Sequence, residues 1–122
     1  MNDKERVKEV SKKKSDRSCD RFHEAIEFIG KRWMGIIIYR LLDGPKRYHE
    51  LLTEIEGISD RLLTERLREL VNYGLVIKSV SQTQARKVEY ELTGHGIELK
   101  EIIRAIVKWT DKNSEDTNNK AK

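Results

Sequence analysis

This 122-residue chain has little of what marks a secreted, membrane-spanning or disulfide-stabilised protein. Its only cysteine, Cys19, excludes a disulfide within the chain and is typical of a reducing compartment. The longest apolar run, residues 34–39, is far shorter than the roughly 20 residues that cross a bilayer. No apolar stretch with a cleavage site follows the N-terminus, so a signal peptide is not expected. These absences predict a cytoplasmic protein with no membrane partner.

The sequence also lacks the motifs of common enzyme classes. It has no glycine-rich phosphate loop, no nucleophile elbow and no cluster of carboxylates with histidines. Its histidines, His23, His49 and His95, lie far apart, so neither a metal site nor a cofactor is expected. Cys19 and His23, four residues apart, are the one pair that resembles a nucleophile with its base, and no third group accompanies them. An enzyme is therefore not expected.

Charge is what the chain has in abundance. Charged residues make up 38% of the sequence and apolar residues 37%, with a net charge of +4. This mild basic excess is compatible with nucleic acid but does not prove it. The length predicts one domain with a modest core. We expect a basic arm at residues 1–17, a folded domain at 18–113 and a polar tail at 114–122. The arm, with Lys12–Lys14 at its centre, either follows a DNA backbone or is disordered.

The spacing of apolar residues predicts a mainly α chain with one small β ribbon, an α+β class. Five helices are expected, at about residues 20–29, 32–42, 49–55, 59–73 and from Thr93 onward. The ribbon would pair residues 76–80 with 87–92. The last helix carries more apolar residues than one domain needs, which predicts that part of it meets a second copy of the chain. Aromatic side chains, Tyr48 among them, are expected to pack in the core or in that dimer interface.

Residues 48–92 contain the most informative pattern. A short helix, a turn, a longer basic helix and a ribbon follow one another, which is the order of a winged helix-turn-helix. Gly57 suits the turn because it adopts a positive φ readily. Ser59 is a good N-cap for the longer helix, and Asp60 follows it in the first turn. The buried face of that helix is predicted to comprise Leu63, Leu67, Leu70 and Val71.

Seven pieces of the sequence, in this order, resemble the HxlR family of bacterial winged helix-turn-helix regulators, which is related to the MarR group. The matching pieces are Cys19, Ile29–Trp33, Arg47–Leu51, Gly57–Ser59, Leu63–Leu70, Tyr73–Val76 and Val88–Thr93. They cover nearly the whole expected domain. Two departures stand out: Asp20 replaces the proline that usually follows the cysteine, and no proline precedes Val88. The second departure loosens the expected wing, since no proline fixes φ there.

The resemblance implies a homodimeric, sequence-specific DNA-binding protein, most often a repressor, which dimerises through its N- and C-terminal helices. Its recognition helix, at about 59–73, would enter the major groove of an operator, with the wing at about 76–92 beside it. Arginine pairs well with guanine, and basic wing tips suit phosphates or a minor groove. The predicted DNA contacts are Ser59, Arg61, Thr64 and Arg68 on the helix, and Thr83, Gln84, Arg86 and Lys87 around the wing. Asp60 and Glu65 would repel phosphates and are expected to pair with arginines or to support the helix start.

Cys19 is the candidate regulatory residue. It lies near the expected start of the first helix, with two cations, Arg17 and Arg21, and two carboxylates, Asp16 and Asp20, nearby in the sequence. Some members of the resembling family sense oxidants or electrophiles through a cysteine at this place. The alternatives are an inert cysteine with a ligand-responsive regulator, and a winged helix that binds protein rather than DNA. The effector itself is not indicated by the sequence.

Overall fold

The computed structural model describes residues 18–80 and 87–121, with side chains through residue 112. The chain divides into two compact units, Met1–Arg32 and Trp33–Lys122. The expected basic arm, with Lys12–Lys14, lies outside the described residues. So do Thr83, Gln84 and Arg86 of the expected wing tip.

The described part of the first unit is one helix, α1, at residues 18–29. It is helical two residues earlier than the sequence predicted. The helix ends where the Gly30 amide donates to the Ile26 carbonyl oxygen at 2.7 Å. Phe22 and Ile26, one helical turn apart, are 62% and 52% exposed. This helix therefore presents an apolar face that is largely exposed among the described residues.

The second unit contains the remaining elements, which confirm the predicted class: mainly α with a two-stranded antiparallel wing. They are α2 (Met34–Leu41), α3 (Tyr48–Glu54), α4 (Asp60–Asn72), β1 (Val76–Val80), β2 (Val88–Leu92), α5 (Gly94–Ile97) and α6 (Lys100–Ala121). The strands pair in the register Val76 with Leu92 through Val80 with Val88. No helix among the described residues is both long enough and apolar enough to span a bilayer.

The core of the second unit lies between α2, α3, α4 and the root of the wing. Its nearly inaccessible side chains are Met34, Ile37, Ile38, Leu41, Leu51, Leu63, Leu67, Leu70 and Val76. The predicted buried face of α4 is thus confirmed for its three leucines. It is wrong for Val71, which is 37% exposed. Each residue advances roughly 100° around a helix, so Val71 lies at the margin of the stripe that ends with Leu70.

Both ends of α4 are closed by local hydrogen bonds. The Ser59 hydroxyl oxygen accepts from the Leu62 amide at 3.1 Å, which confirms the predicted N-cap. At the other end the Leu75 amide donates to Leu70 and the Gly74 amide to Val71, both at 3.0 Å. This is a Schellman motif, and Gly74 supplies its left-handed residue with φ 79°. Helix α4 therefore has well-defined ends, and only three residues separate it from strand β1.

The start of α2 differs from the sequence prediction. Helix was expected from Arg32, but Trp33 adopts a left-handed conformation with φ 75°, and the helix begins at Met34. The Trp33 ring lies over the helix-turn-helix turn, because a Cβ added to Gly57 would be 3.4 Å from the ring. Gly57 itself has φ 93°, which explains why glycine suits this turn.

The predicted fifth helix is two helices in the structure. Thr93 caps the four-residue α5 by accepting from the Gly96 amide at 3.0 Å, and residues 98–99 form a turn before α6 begins. Glycine is a poor helix former, so two glycines within four residues favour such a short segment. Helix α6 then packs on α2, and its Ile103 is buried. It continues to Ala121, beyond the domain boundary expected at residue 113.

The extended segment before α3 joins the wing. Lys46 and Tyr90 exchange backbone hydrogen bonds of 2.9 and 2.8 Å, which add a third chain segment to the ribbon. The Lys46 ammonium also contacts the Glu54 carboxylate at 3.0 Å. Lys46 thus connects strand β2 of the wing to the segment before α3 and to the last residue of α3. These contacts hold the wing in place relative to the helix-turn-helix.

Candidate nucleic-acid interface

The outward face of α4 carries the side chains expected to contact DNA. Four exposed or half-exposed residues recur at helical spacing and line one open depression with Asp60, namely Arg61, Thr64, Glu65 and Arg68. The buried leucines of the same helix face the opposite way. The packing of α4 therefore leaves this face accessible to a partner.

Arg61 and Arg68 are the cations of this face. Within residues 18–80 and 87–112, neither guanidinium forms a hydrogen bond or ion pair with another group. Arg66, on the same helix, is instead bonded to Glu69 at 2.6 Å. Seven residues of helix separate Arg61 from Arg68 by roughly 10 Å, or about three base-pair steps of 3.4 Å. Both donor sets are thus available for an external acceptor.

The two hydroxyls of the site differ in what they offer. The Ser59 oxygen accepts from the helix backbone, so its own hydrogen remains available to donate, for example to a phosphate. Thr64 instead donates its hydroxyl hydrogen to the Tyr48 hydroxyl oxygen at 3.1 Å. The sequence prediction grouped these hydroxyls together, whereas the structure distinguishes them.

Tyr48 is the residue that the sequence analysis missed. Its hydroxyl lies 2.9 Å from the Asp60 carbonyl oxygen and 2.8 Å from the Asp60 carboxylate, and donates to both. Asp60, expected to pair with an arginine or to support the helix start, lies in the first turn of α4 with a phenol as its partner. Tyr48 is the first residue of α3 and Asp60 the first residue of α4. This shared position at the start of a helix was the only feature of the sequence that could have indicated the contact between them.

The wing has one face compatible with phosphates. Side chains alternate between the faces of a strand, so Lys78 and its partner Tyr90 share one face, while Glu89 and Glu91 share the other. The Lys78 ammonium lies 5.8 Å from the centre of the Tyr90 ring, a cation–π distance. The carboxylates of the second face would repel a DNA backbone. Lys87, half-exposed just before β2, is the one predicted wing contact that the structure describes.

Cys19 lies in the helical residues of α1 and is exposed. Its spacing to Phe22 and Ile26 is i, i+3 and i+7, so it shares their uncovered apolar face. Among residues 18–80 and 87–112, no group of three His, Cys, Asp or Glu side chains is placed to hold a metal ion. Because Cys19 lies on that face, a modification of its thiol would change the apolar face itself.

Comparison with known proteins relates this geometry to a family. The model of the HxlR-like helix-turn-helix family matches residues 28–118. The HTH-type transcriptional regulator YodB of Bacillus subtilis (strain 168) is 39% identical over 93 residues, which cover 76% of this chain and 83% of YodB. The uncharacterized HTH-type transcriptional regulator YvaP of the same organism is 37% identical over 91 residues, covering 75% and 84%.

Solved structures show the same similarity. The redox regulator HypR in its reduced form superposes with a TM-score of 0.72 at 33% identity, covering 81% of this chain and 98% of that one. Quinone-bound YodB from B. subtilis gives a TM-score of 0.67 at 36% identity, covering 77% and 99%. The fold and the helix-turn-helix are thus shared with regulators of transcription.

Proposed function

Because this chain belongs to the HxlR-like helix-turn-helix family of transcriptional regulators, we propose that it is a homodimeric repressor of double-stranded operator DNA. The observation that carries the proposal is the exposed face of α4, with two arginines that have no partner among the described residues. In this proposal α4 enters the major groove with Ser59, Arg61, Thr64 and Arg68. The wing, through Lys87 and the undescribed Thr83, Gln84 and Arg86, follows the backbone beside it.

A gel-shift titration on DNA from upstream of its own and neighbouring genes tests the DNA role. We expect a dissociation constant of ~10 nM or tighter on one upstream fragment, in the presence of competitor DNA. The affinity should fall steeply as salt increases, because phosphate contacts release counterions. Binding that is weak on every fragment and insensitive to salt would instead favour a winged helix that binds protein.

The dimer is proposed from two uncovered apolar faces, each within its own unit. Helix α6 exposes three large side chains at i, i+4 and i+7 spacing, Ile102, Ile106 and Trp109, which are 51%, 48% and 64% exposed. Helix α1 exposes Phe22 and Ile26 in the same manner. Apolar faces of this kind mark association sites, and homodimers of two-fold symmetry are the commonest assemblies. Two copies would place two recognition helices about one turn of DNA, ~34 Å, apart.

Ile106→Asp should convert the dimer to a monomer, because a carboxylate would then be buried in an apolar interface without a partner. Sedimentation equilibrium should give the chain mass of 14.4 kDa instead of twice that value. Operator affinity should fall by on the order of 100-fold or more, since one half-site contact is lost. Lys108→Ala is the matched control: it makes the same one-unit change of charge at an exposed position about 200° around the helix from Ile106. A dimer that survives Ile106→Asp would contradict the assignment of α6.

We further propose that Cys19 controls the repressor. The similar structures include a redox regulator, HypR, in reduced and oxidised forms, and quinone-bound YodB, so redox regulation and quinone binding occur among the relatives. Cys19 is exposed and shares the α1 face that the proposed dimer would cover. Two such thiols in a dimer can form one disulfide, losing two protons and two electrons to an oxidant such as diamide. The change would act on DNA binding by altering the spacing of the recognition helices.

Diamide treatment should weaken operator binding at least tenfold, a coupling of the usual allosteric size. Cys19→Ser should bind as tightly as the reduced protein and should not respond to diamide, because its hydroxyl cannot be oxidised this way. Non-reducing electrophoresis run beside the gel shift identifies the product as a disulfide. Equal binding by reduced and treated protein would retain the DNA role and exclude the thiol switch.

A regulator that responds to a small ligand is the alternative to a thiol switch. The cleft between α2, β2 and α5, lined by Leu42, Leu92 and Ile97, measures about 230 Å³. Ligand pockets usually exceed ~300 Å³, so this cleft is small for an effector.

A further inference from the structure

A chain of three hydrogen-bonding groups connects the recognition helix to the start of α3. Thr64 on the exposed face of α4 contacts the Tyr48 hydroxyl at 3.1 Å, and that hydroxyl contacts Asp60 at 2.8 and 2.9 Å. The contacts cross 12 and 16 residues of sequence, so they exist only when the helix-turn-helix is folded. The three groups therefore lie beside the proposed DNA contact surface and also connect the two helices of the helix-turn-helix.

The direction of this chain follows from counting hydrogens. The Asp60 backbone carbonyl has no hydrogen, and an ionised carboxylate has none either, so both can only accept. The single hydroxyl hydrogen of Tyr48 must therefore point at Asp60. Its oxygen is then left to accept, which obliges Thr64 to donate. Burial is the largest cause that raises the pKa of the Tyr48 phenol; the hydrogen bond from Thr64 lowers this pKa, and Asp60 raises it by hydrogen bond and by charge. The phenol thus keeps its hydrogen at neutral pH.

The consequence concerns what Thr64 can offer to DNA. Because its hydrogen is committed to Tyr48, the hydroxyl presents only lone pairs to the groove. A hydroxyl that can only accept forms no hydrogen bond with another acceptor. This excludes phosphate oxygens, guanine N7 and O6, and thymine O4. The amino groups of adenine N6 and cytosine N4 are the donors that remain in the major groove.

We infer that Tyr48 is a specificity-determining positioning residue: it orients the Thr64 hydroxyl as an acceptor, so the base facing Thr64 is adenine or cytosine. This inference rests on the proposed placement of α4 in the major groove. It assigns to Tyr48 an effect on one base position without any contact between Tyr48 and DNA. Asp60 acts in the same chain, as the acceptor that sets the direction of the Tyr48 hydroxyl.

Selection from a pool of randomised duplexes, with sequencing of the bound fraction, tests the inference. The wild-type dimer should prefer adenine or cytosine over guanine and thymine by about fivefold to tenfold at one position of each half-site. Tyr48→Phe keeps the ring but removes the hydroxyl, so the Thr64 hydrogen becomes free to donate. We expect guanine and thymine to rise at that one position, to within about twofold of adenine and cytosine.

Two variants of Thr64 serve as controls. Thr64→Ser keeps the hydroxyl and should keep the preference, whereas Thr64→Val should lose it at the same position as Tyr48→Phe. Circular dichroism melting should show that Tyr48→Phe remains folded. A Tyr48→Phe profile that is unchanged, or that weakens equally at every position, would overturn the inference while wild-type selection still supports the proposed function. Failure of the wild-type protein to select any sequence would overturn both.

Discussion

Replacing Arg61 or Arg68 with alanine should lower operator affinity by on the order of 100-fold, and replacing both should remove the preference for operator over random DNA. Each arginine occurs twice in the proposed dimer, and a paired hydrogen bond to guanine contributes about 1–3 kcal/mol of discrimination. Neither guanidinium forms a hydrogen bond or ion pair among the described residues, so no such contact would have to break before it binds DNA. The loss should therefore appear directly in gel-shift titrations on operator and random duplexes at one salt concentration.

The matched substitutions separate base reading from charge. Arg61→Lys keeps the positive charge but not the planar fork, so a base-reading arginine should behave nearly as the alanine variant does. Arg66→Ala removes the same charge from the same helix, at a guanidinium that is held by Glu69, and should leave discrimination unchanged. Arg61→Ala could instead weaken binding to operator and to random DNA equally. If it also reduces the slope of log affinity against log salt concentration by about one per contact, Arg61 binds phosphate.

The parts of the fold that depend on neighbouring residues were predictable. The Ser59 cap, the Gly57 turn and the strand bounds at Val76–Val80 follow from local chemistry and spacing, and the structure confirms them. Two features were not predictable in this way. Trp33 begins α2 from a left-handed conformation, which residue preferences disfavour and only the packed fold can maintain. The turn at residues 98–99 separates α5 from α6, and the spacing of apolar residues, which runs on from Ile97 to Ile102, does not indicate it.

The proposed site shows the same division. Helical periodicity alone placed Arg61, Thr64 and Arg68 on one outward face, and the structure brings them together there. It could not show that Thr64 donates to Tyr48, because that bond spans 16 residues and depends on the angle between two helices. An amphipathic pattern reports which way a side chain faces. It does not report which hydrogen-bonding capacity remains free, and that capacity decides what a side chain can read.

Gly96→Ala should destabilise the fold more than any surface substitution, because the added methyl group has no room. Gly96 is buried in α5, where a Cβ would overlap the Leu75 carbonyl oxygen and lie 3.0 Å from Leu92. That carbonyl already accepts the Thr93 amide at 2.9 Å, and Thr93 donates its hydroxyl hydrogen to Gly74 at 2.7 Å. The methyl group would push α5 away from the junction that joins α4 to the wing. Forced overpacking of this kind costs about 2–3 kcal/mol.

Gly94→Ala in the same short helix is the control, because nothing lies within 4 Å of its Cβ position. There the substitution should be neutral or stabilise by about 0.5 kcal/mol, since alanine restricts the unfolded chain. Calorimetry at one protein concentration should show the melting temperature falling by roughly 10 °C for Gly96→Ala and hardly changing for Gly94→Ala. Equal losses would indicate that helix propensity, not contact with Leu75, decides the residue. Operator binding by Gly96→Ala below its melting temperature should also weaken, since the wing and the end of α4 meet at Leu75.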